Sequence, residues 1–163
     1  MSESRPLVSA EPERSAGVAN GAVPGLAPDA VIVLGIASTA MPFAGTLEAE
    51  ATRWLRVLCL QGEAGAALQA LGVSETPLRA RGEHTDDRPR SQDIDRDTVR
   101  AVSEQAVRIA SRRGASVVDT TDLLMAVMDV YGADFERVLR AHGTNRDEVI
   151  ERLGTHAPGP TGA

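Results

Sequence analysis

The residues able to do chemistry are few, and they stand apart. His84, His142 and His156 have no cysteine or carboxylate at metal-ligand spacing around them. His142, at the end of a helical stretch, is expected to interact favourably with the negative end of the helix dipole. Cys59 is the only cysteine, which excludes an internal disulfide, and its setting in the apolar run Val57-Leu58-Cys59-Leu60 marks it as a small buried hydrophobe. All 17 basic residues are arginine. Without lysine the chain can form neither a Schiff base nor the G-x-x-x-x-G-K-[ST] phosphate loop. No nucleophile elbow and no H-E-x-x-H pattern accompanies its serines, threonines and aspartates. The chemistry to expect is therefore recognition, without catalysis, metal or cofactor.

Any recognition residues must be held by helices. From Asp95 to Leu153 four short helical segments follow one another. The first carries Val99, Val102, Ala106, Ile109 and Ala110 at steps of three and four, and Gly114 ends it. Asp119 or Thr120 caps the second, which repeats the spacing with Leu123, Leu124, Val127 and Met128 and stops at Gly132. The third starts at Asp134, carries Phe135, Val138 and Leu139, and closes at Gly143. Thr144 or Asn145 caps the fourth, with Glu148 as capping-box partner and Val149, Ile150 and Leu153 inward.

Upstream lies a blurred counterpart of this stretch. The run AVIVLGIASTAMPFAG after Asp29 opens it, although Gly35 weakens a helix and Pro42 should end or kink it. Leu47 to Leu60 forms a helix with Leu47, Ala51, Trp54, Leu55 and Leu58 on one side, Gly62 breaks it, and Ala64 to Leu71 follows as a small helix. Pro77 can open a fourth. Expected core residues are Leu124, Val127, Val138, Leu139, Val149 and Ile150, with Leu55, Leu58 and Leu68 as counterparts. Aromatics are only 2% of the chain, so the core is aliphatic and the fold class all-α. Residues 1–28, rich in Ala, Gly, Pro and Ser without periodicity, are expected to be a disordered tail. Residues 83–94 form a linker and 155–163 a second tail, leaving 29–154 as the domain, divided into 29–82 and 95–154.

The set of segments from Asp119-Thr120-Thr121 through LLMAVM and VLRAHG to EVIERLG resembles one repeat of the N-terminal domain of the Clp unfoldases, the ClpC type especially. WLRVLCLQGEAGAALQALGVSETPLRARG, from Trp54 to Gly82, is similar to the end of a first copy when Gly72 is aligned with Gly143. The resemblance covers roughly Asp29 to Gly154. It implies a bundle of two pseudo-twofold four-helix repeats that binds protein or peptide ligands. It also implies a pocket for phosphorylated arginine at the start of the second helix of each repeat, where the family has Thr-Glu-His and the Glu engages the guanidinium. In the second repeat the matching run is Thr120, Thr121 and Asp122, with Thr121 replacing that Glu; simple capping is the competing role for Thr120 and Asp122. In the first repeat a gapless alignment brings Glu50 to the position, and a two-residue gap brings Thr52.

With no phosphate loop the ATPase modules of an unfoldase are excluded. The resemblance thus implies a stand-alone, non-enzymatic binding protein, an adaptor, competitor or decoy in the Clp protease system, whose partners are a protein or peptide ligand, the ClpC and ClpP machinery, or a ClpC-targeting compound. A structural or assembly role for the helical scaffold is the alternative. A small DNA-associated protein of histone type is a third, since VRIASRRGASVVDTTDLLMAV has some likeness to a helix-loop-helix. The formal charge of −6 opposes the phosphate neutralisation that nucleic-acid binding needs. Arg79, Arg81, Arg88 and Arg90 are interleaved with acidic residues, as in a solvated linker. The apolar stretch from Ala30 to Ile36 is too short to span a membrane and lacks the flanks of a signal peptide, so the expected location is the cytoplasm.

Overall fold

The structure, a computed structural model, describes residues 22–73 and 97–156. The helix expected at Pro77, the linker 83–94 with its arginines and His84, most of the N-terminal tail and residues 157–163 lie outside the described residues. Among the described residues there are seven α-helices, one 3-10 turn and a single pair of two-residue strands, so the protein is all-α.

The first helix, α1 (Pro28–Ala40), starts with proline at its first turn, where a missing N–H removes no helical bond. Gly35 is accommodated inside it, and Pro42 falls in the 3-10 turn Met41–Phe43 that follows. Arg53 holds this turn by donating to the carbonyl oxygens of Ala40 and Phe43. The next helix, α2 (Leu47–Leu58), is capped by Thr46, whose hydroxyl accepts from the Ala49 amide at 3.1 Å. Cys59 and Leu60, expected inside that helix, form the turn out of it. Gly62, expected as a breaker, opens α3 (Gly62–Ala70) instead.

The second half runs through α4 (Thr98–Arg112), α5 (Thr120–Tyr131), α6 (Ala133–Ala141) and α7 (Arg146–His156). Asp97 caps α4, Asp119 caps α5, and Asn145 accepts from the Glu148 amide at 3.0 Å at the start of α7. Thr144 adds a hydroxyl bond to Glu148 Oε2 at 2.7 Å.

Three further expectations are corrected. Gly25–Leu26, placed in the tail, form strand β1, which pairs in parallel with β2 (Val117–Val118) and ties the entry to α1 to the entry to α5. The last helix continues through Thr155 and His156, beyond the domain end expected at 154. Ile150 is 38% exposed and not core, because Val149 alone faces inward at that level of α7.

The other expected core residues are buried, and Trp54 and Phe135 are among the largest fully buried side chains. The halves interlock: α2 packs on α6 while α3 packs on α5, and α1 meets α4 as α2 meets α5. Their helices also correspond. Buried Ala51, Trp54, Leu55 and Leu58 on α2 match buried Leu124, Val127, Met128 and Tyr131 on α5, a spacing of 73 residues (from 51 to 124). Between α3 and α6 the spacing is 71 (from 68 to 139), with Ala64, Ala67 and Leu68 matching Phe135, Val138 and Leu139. Both helices end in the same hydrogen-bonded turn. Val73 N bonds to Leu68 O and Thr144 N to Leu139 O, around left-handed Gly72 and Gly143.

Candidate functional site

The start of α5 is where the sequence concentrates polar residues, and the structure engages nearly all of them internally. Asp119 Oδ1 accepts from the Asp122 amide at 2.9 Å, and Asp122 Oδ2 accepts from the Asp119 amide at 3.0 Å. These reciprocal bonds form a capping box that satisfies free amides of the first turn. Asp122 is 1% exposed. A buried carboxylate needs a charged partner, and Arg113, just past the end of α4, supplies it. Its Nε lies 2.8 Å from Asp122 Oδ1 and its Nη2 2.5 Å from Oδ2, a bidentate fork. The same Nη2 lies 2.9 Å from Asp119 Oδ2. The Asp122 hydrogen bond accordingly holds the Arg113 guanidinium above its ordinary range.

Thr120 is fully buried and turns away from solvent. Its hydroxyl accepts from the Ala64 amide at 3.3 Å and so satisfies a free amide in the first turn of α3. Asp29 reaches the same place. A methyl group at Gly62 would overlap both the Asp29 carboxylate and the Thr120 hydroxyl, and Gly62 also takes the left-handed conformation, at φ +66°. Thr121 is half-buried, at the second position of α5.

The two first-half candidates lie elsewhere. Glu50 Oε2 accepts from the Tyr131 hydroxyl at 2.8 Å, and that hydroxyl in turn accepts from Trp54 Nε1 at 3.0 Å. Burial, with the Glu50 carboxylate acting in the same sense, pushes the Tyr131 phenol above its usual range. Thr52 donates to the carbonyl oxygen of Glu48 in its own helix at 2.8 Å. Neither stands where Thr121 stands. With Thr46 and Asp119 as caps, the counterpart of Thr121 on α2 is Glu48, an exposed carboxylate 3.5 Å from Arg137 Nη1.

Of the five expected ligand residues, Thr120, Thr121 and Asp122 are thus together, and Glu50 and Thr52 are apart from them. Sequence reasoning missed Arg113 and Glu48. Arginine at a helix end a few residues before Asp119 and Asp122 was a signal for the first, and Thr46 as a capping residue was a signal for the second. His142 stands at the C-terminal end of α6, as expected, and there burial first, and then the Arg56 charge, push its imidazole below the usual range.

Among the described residues no group of three or more His, Cys, Asp or Glu is placed to hold a metal ion. None of their helices is long and apolar enough to cross a membrane. Comparison of the chain with models of known protein families and with curated proteins finds no match in either.

Proposed function

We propose that the chain is a non-enzymatic binding module built like the N-terminal domain of the Clp unfoldases, with two related halves, and that it recognises protein or peptide ligands in the Clp protease system. The observation that carries this reading is the correspondence of the halves. Helices of 12 residues (α2 and α5) and of 9 residues (α3 and α6) recur in the same order, and the inward stripes Ala51, Trp54, Leu55, Leu58 and Ala64, Ala67, Leu68 fall on buried residues of their counterparts. The reciprocal packing of α2 on α6 and α3 on α5 is what a twofold relation between such halves requires.

Within this reading the ligand residue belongs to the first half. In the second half Asp122 already binds a guanidinium, that of Arg113, through both oxygens, and Thr120 serves the first turn of α3. Glu48 is exposed at the matching position of α2, and a carboxylate there can accept both N–H groups of a guanidinium. Its 3.5 Å ion pair with the exposed Arg137 is weak enough to exchange for a ligand.

Two measurements test the proposal. The immobilised chain should retain ClpC or ClpP, and an arginine-phosphorylated protein should bind it saturably while the unphosphorylated form does not. Glu48→Ala should abolish the second interaction, whereas Thr52→Ala and Thr121→Ala leave it in place. If neither the Clp machinery nor the phosphorylated protein is retained by the wild type, the proposal fails.

A further inference from the structure

A surface helix is normally amphipathic, and one that is apolar all round is normally buried. Helix α1 departs from both patterns. Its inward side is closed by Ala30, Val33 and Ala37, yet its outward side presents Val31 at 50%, Ile32 at 45% and Ile36 at 36% exposure. Asp29 is its only charged residue. The chain contains its own control. Positions 73 residues further on place Glu104 and Gln105 on α4 where α1 has Val31 and Ile32, and half-buried Ile109 where it has Ile36, and α4 carries exposed Arg100, Arg108 and Arg112 besides. Two helices that pack on one another therefore show water opposite kinds of surface.

Beside the α1 ridge lies a groove of about 480 Å³. Its walls are Leu34 of α1 and Val107 of α4, and the segment through Val23, Pro24 and Leu26 closes one side. Leu34 is three residues from Val31, so ridge and groove adjoin on the same helix. The groove's polar edge consists of Ser103, Glu104 and Arg108; Glu104 and Arg108 are one turn apart and opposite in charge, and Glu104 Oε1 accepts from Arg100 Nε at 3.0 Å in an exposed pair weak enough to exchange. Arg108 has among the described residues only a bond to Gln105, at 3.2 Å.

We propose that this face is covered by a second copy of the chain, in a twofold dimer that seats the α1 ridge of each protomer in the groove of its partner. Self-pairing follows from what the face holds. An isologous interface must complement itself; here one patch carries both the apolar ridge and the apolar groove. Its rim also carries both signs of charge, so a twofold can set the Arg108 of one protomer against the Glu104 of the other. An uncharged ridge adds no like-charge repulsion on the axis. This inference does not depend on the ligand proposed above.

The test is sedimentation velocity on the full chain over a series from about 1 μM to about 200 μM, the range in which interfaces of modest size form. The wild type should pass from monomer to dimer. Ile32→Glu, which would bury an unpaired carboxylate at the interface, should raise the dimer dissociation constant at least about tenfold, with the helical circular dichroism unchanged. Should that variant lose its helical signal, Arg108→Glu carries the test. It replaces an exposed side chain, it should weaken the dimer, and adding Glu104→Arg should restore it. A wild type monomeric throughout overturns the proposal. If such a monomer dimerises after deletion of residues 1–21, the chain's own leading segment covers the face and the proposal is equally overturned. A dimer that persists unchanged in both Ile32→Glu and Arg108→Glu overturns it too.

Discussion

Replacing Arg113 by Met should destabilise the protein by about 2 kcal/mol. This follows from an unequal pair: the Asp122 side chain is 2% exposed, whereas that of Arg113 is 46% exposed. Removing one partner of a fully buried ion pair costs about 3–5 kcal/mol, and an exposed pair contributes about 0–1. Here the charge left behind is buried but the one removed is half in water, so the loss falls between these limits. One donor survives, since the Asp119 amide still reaches Asp122 Oδ2 at 3.0 Å. Two carboxylates, Asp119 and Asp122, would then share the start of α5 with only its amides to offset them. For a chain of this size a loss of that order lowers the melting temperature by about 4–8 °C. Urea unfolding at neutral pH, followed by far-ultraviolet circular dichroism, measures it directly. Two controls make the assignment specific. Arg113→Lys should recover only part of the loss, because an ammonium cannot make the two-pronged contact. In an Asp122→Asn background Arg113→Met should cost much less, since the buried charge is gone. A cost below about 0.5 kcal/mol, or an equal cost in both backgrounds, would refute the reasoning.

Three further outcomes are expected. Leu139→Ala should cost about 2–5 kcal/mol, because the side chain is fully buried between the halves, while Ile150→Ala, at a partly exposed position, should cost well under half of that; comparable losses in urea unfolding would mean the packing of α7 is misassigned. Gly62→Ala should destabilise by more than the roughly 1 kcal/mol expected of Gly72→Ala. Both are left-handed, but only at Gly62 would the new methyl meet Asp29 and Thr120; equal melting temperatures for the two variants would count against that contact. His142, with a folded pKa below its ordinary 6.5, stays neutral in the fold where the unfolded chain takes up a proton. The stability it contributes is therefore full above that value and falls as pH drops through the folded pKa. His142→Asn should show a shallower decline between about pH 7 and about pH 5 than the wild type, and parallel declines would exclude the histidine as their cause.

What the sequence made legible was local, and what it hid was relational. Asp119, Gly114, Gly132 and Gly143 announce helix ends because a cap or a left-handed residue acts on the backbone beside it, and the helices lie where these residues put them. The stripe on α4 was equally plain, since Val102, Ala106 and Ala110 alternate with charged residues. Helix α1 offered no such contrast: with apolar residues on every side, its pattern could not say which of them faced inward. The residues Gly25 and Leu26 carry no periodic signal either, because a two-residue strand is defined by its partner at Val117 and Val118 and not by its own composition.

The candidate site depended on register, which is a relation between distant segments. Aligning Gly72 with Gly143 is correct for α3 and α6, whose spacing is 71 residues. It cannot be carried back into α2, because Cys59, Leu60 and Gln61 join α2 to α3 where Gly132 alone joins α5 to α6. The first half is two residues longer at that turn, so α2 and α5 are related by 73. A gapless alignment therefore arrives at Glu50, and a gap opened in the opposite sense arrives at Thr52, each missing the second position of the helix. Thr46 held the information that decides it. A threonine that accepts from the amide three residues on fixes where the helix begins, and counting from that cap brings Glu48 opposite Thr121. The bonds of Glu50 agree with this register: two residues further along α2, and so on the other side of the helix, its carboxylate accepts from the Tyr131 hydroxyl of α5, where it is a structural acceptor. Where two halves match only in part, caps locate equivalent positions better than apolar matches do, because a cap is tied to one backbone position while an apolar match survives a shift of a full helical turn.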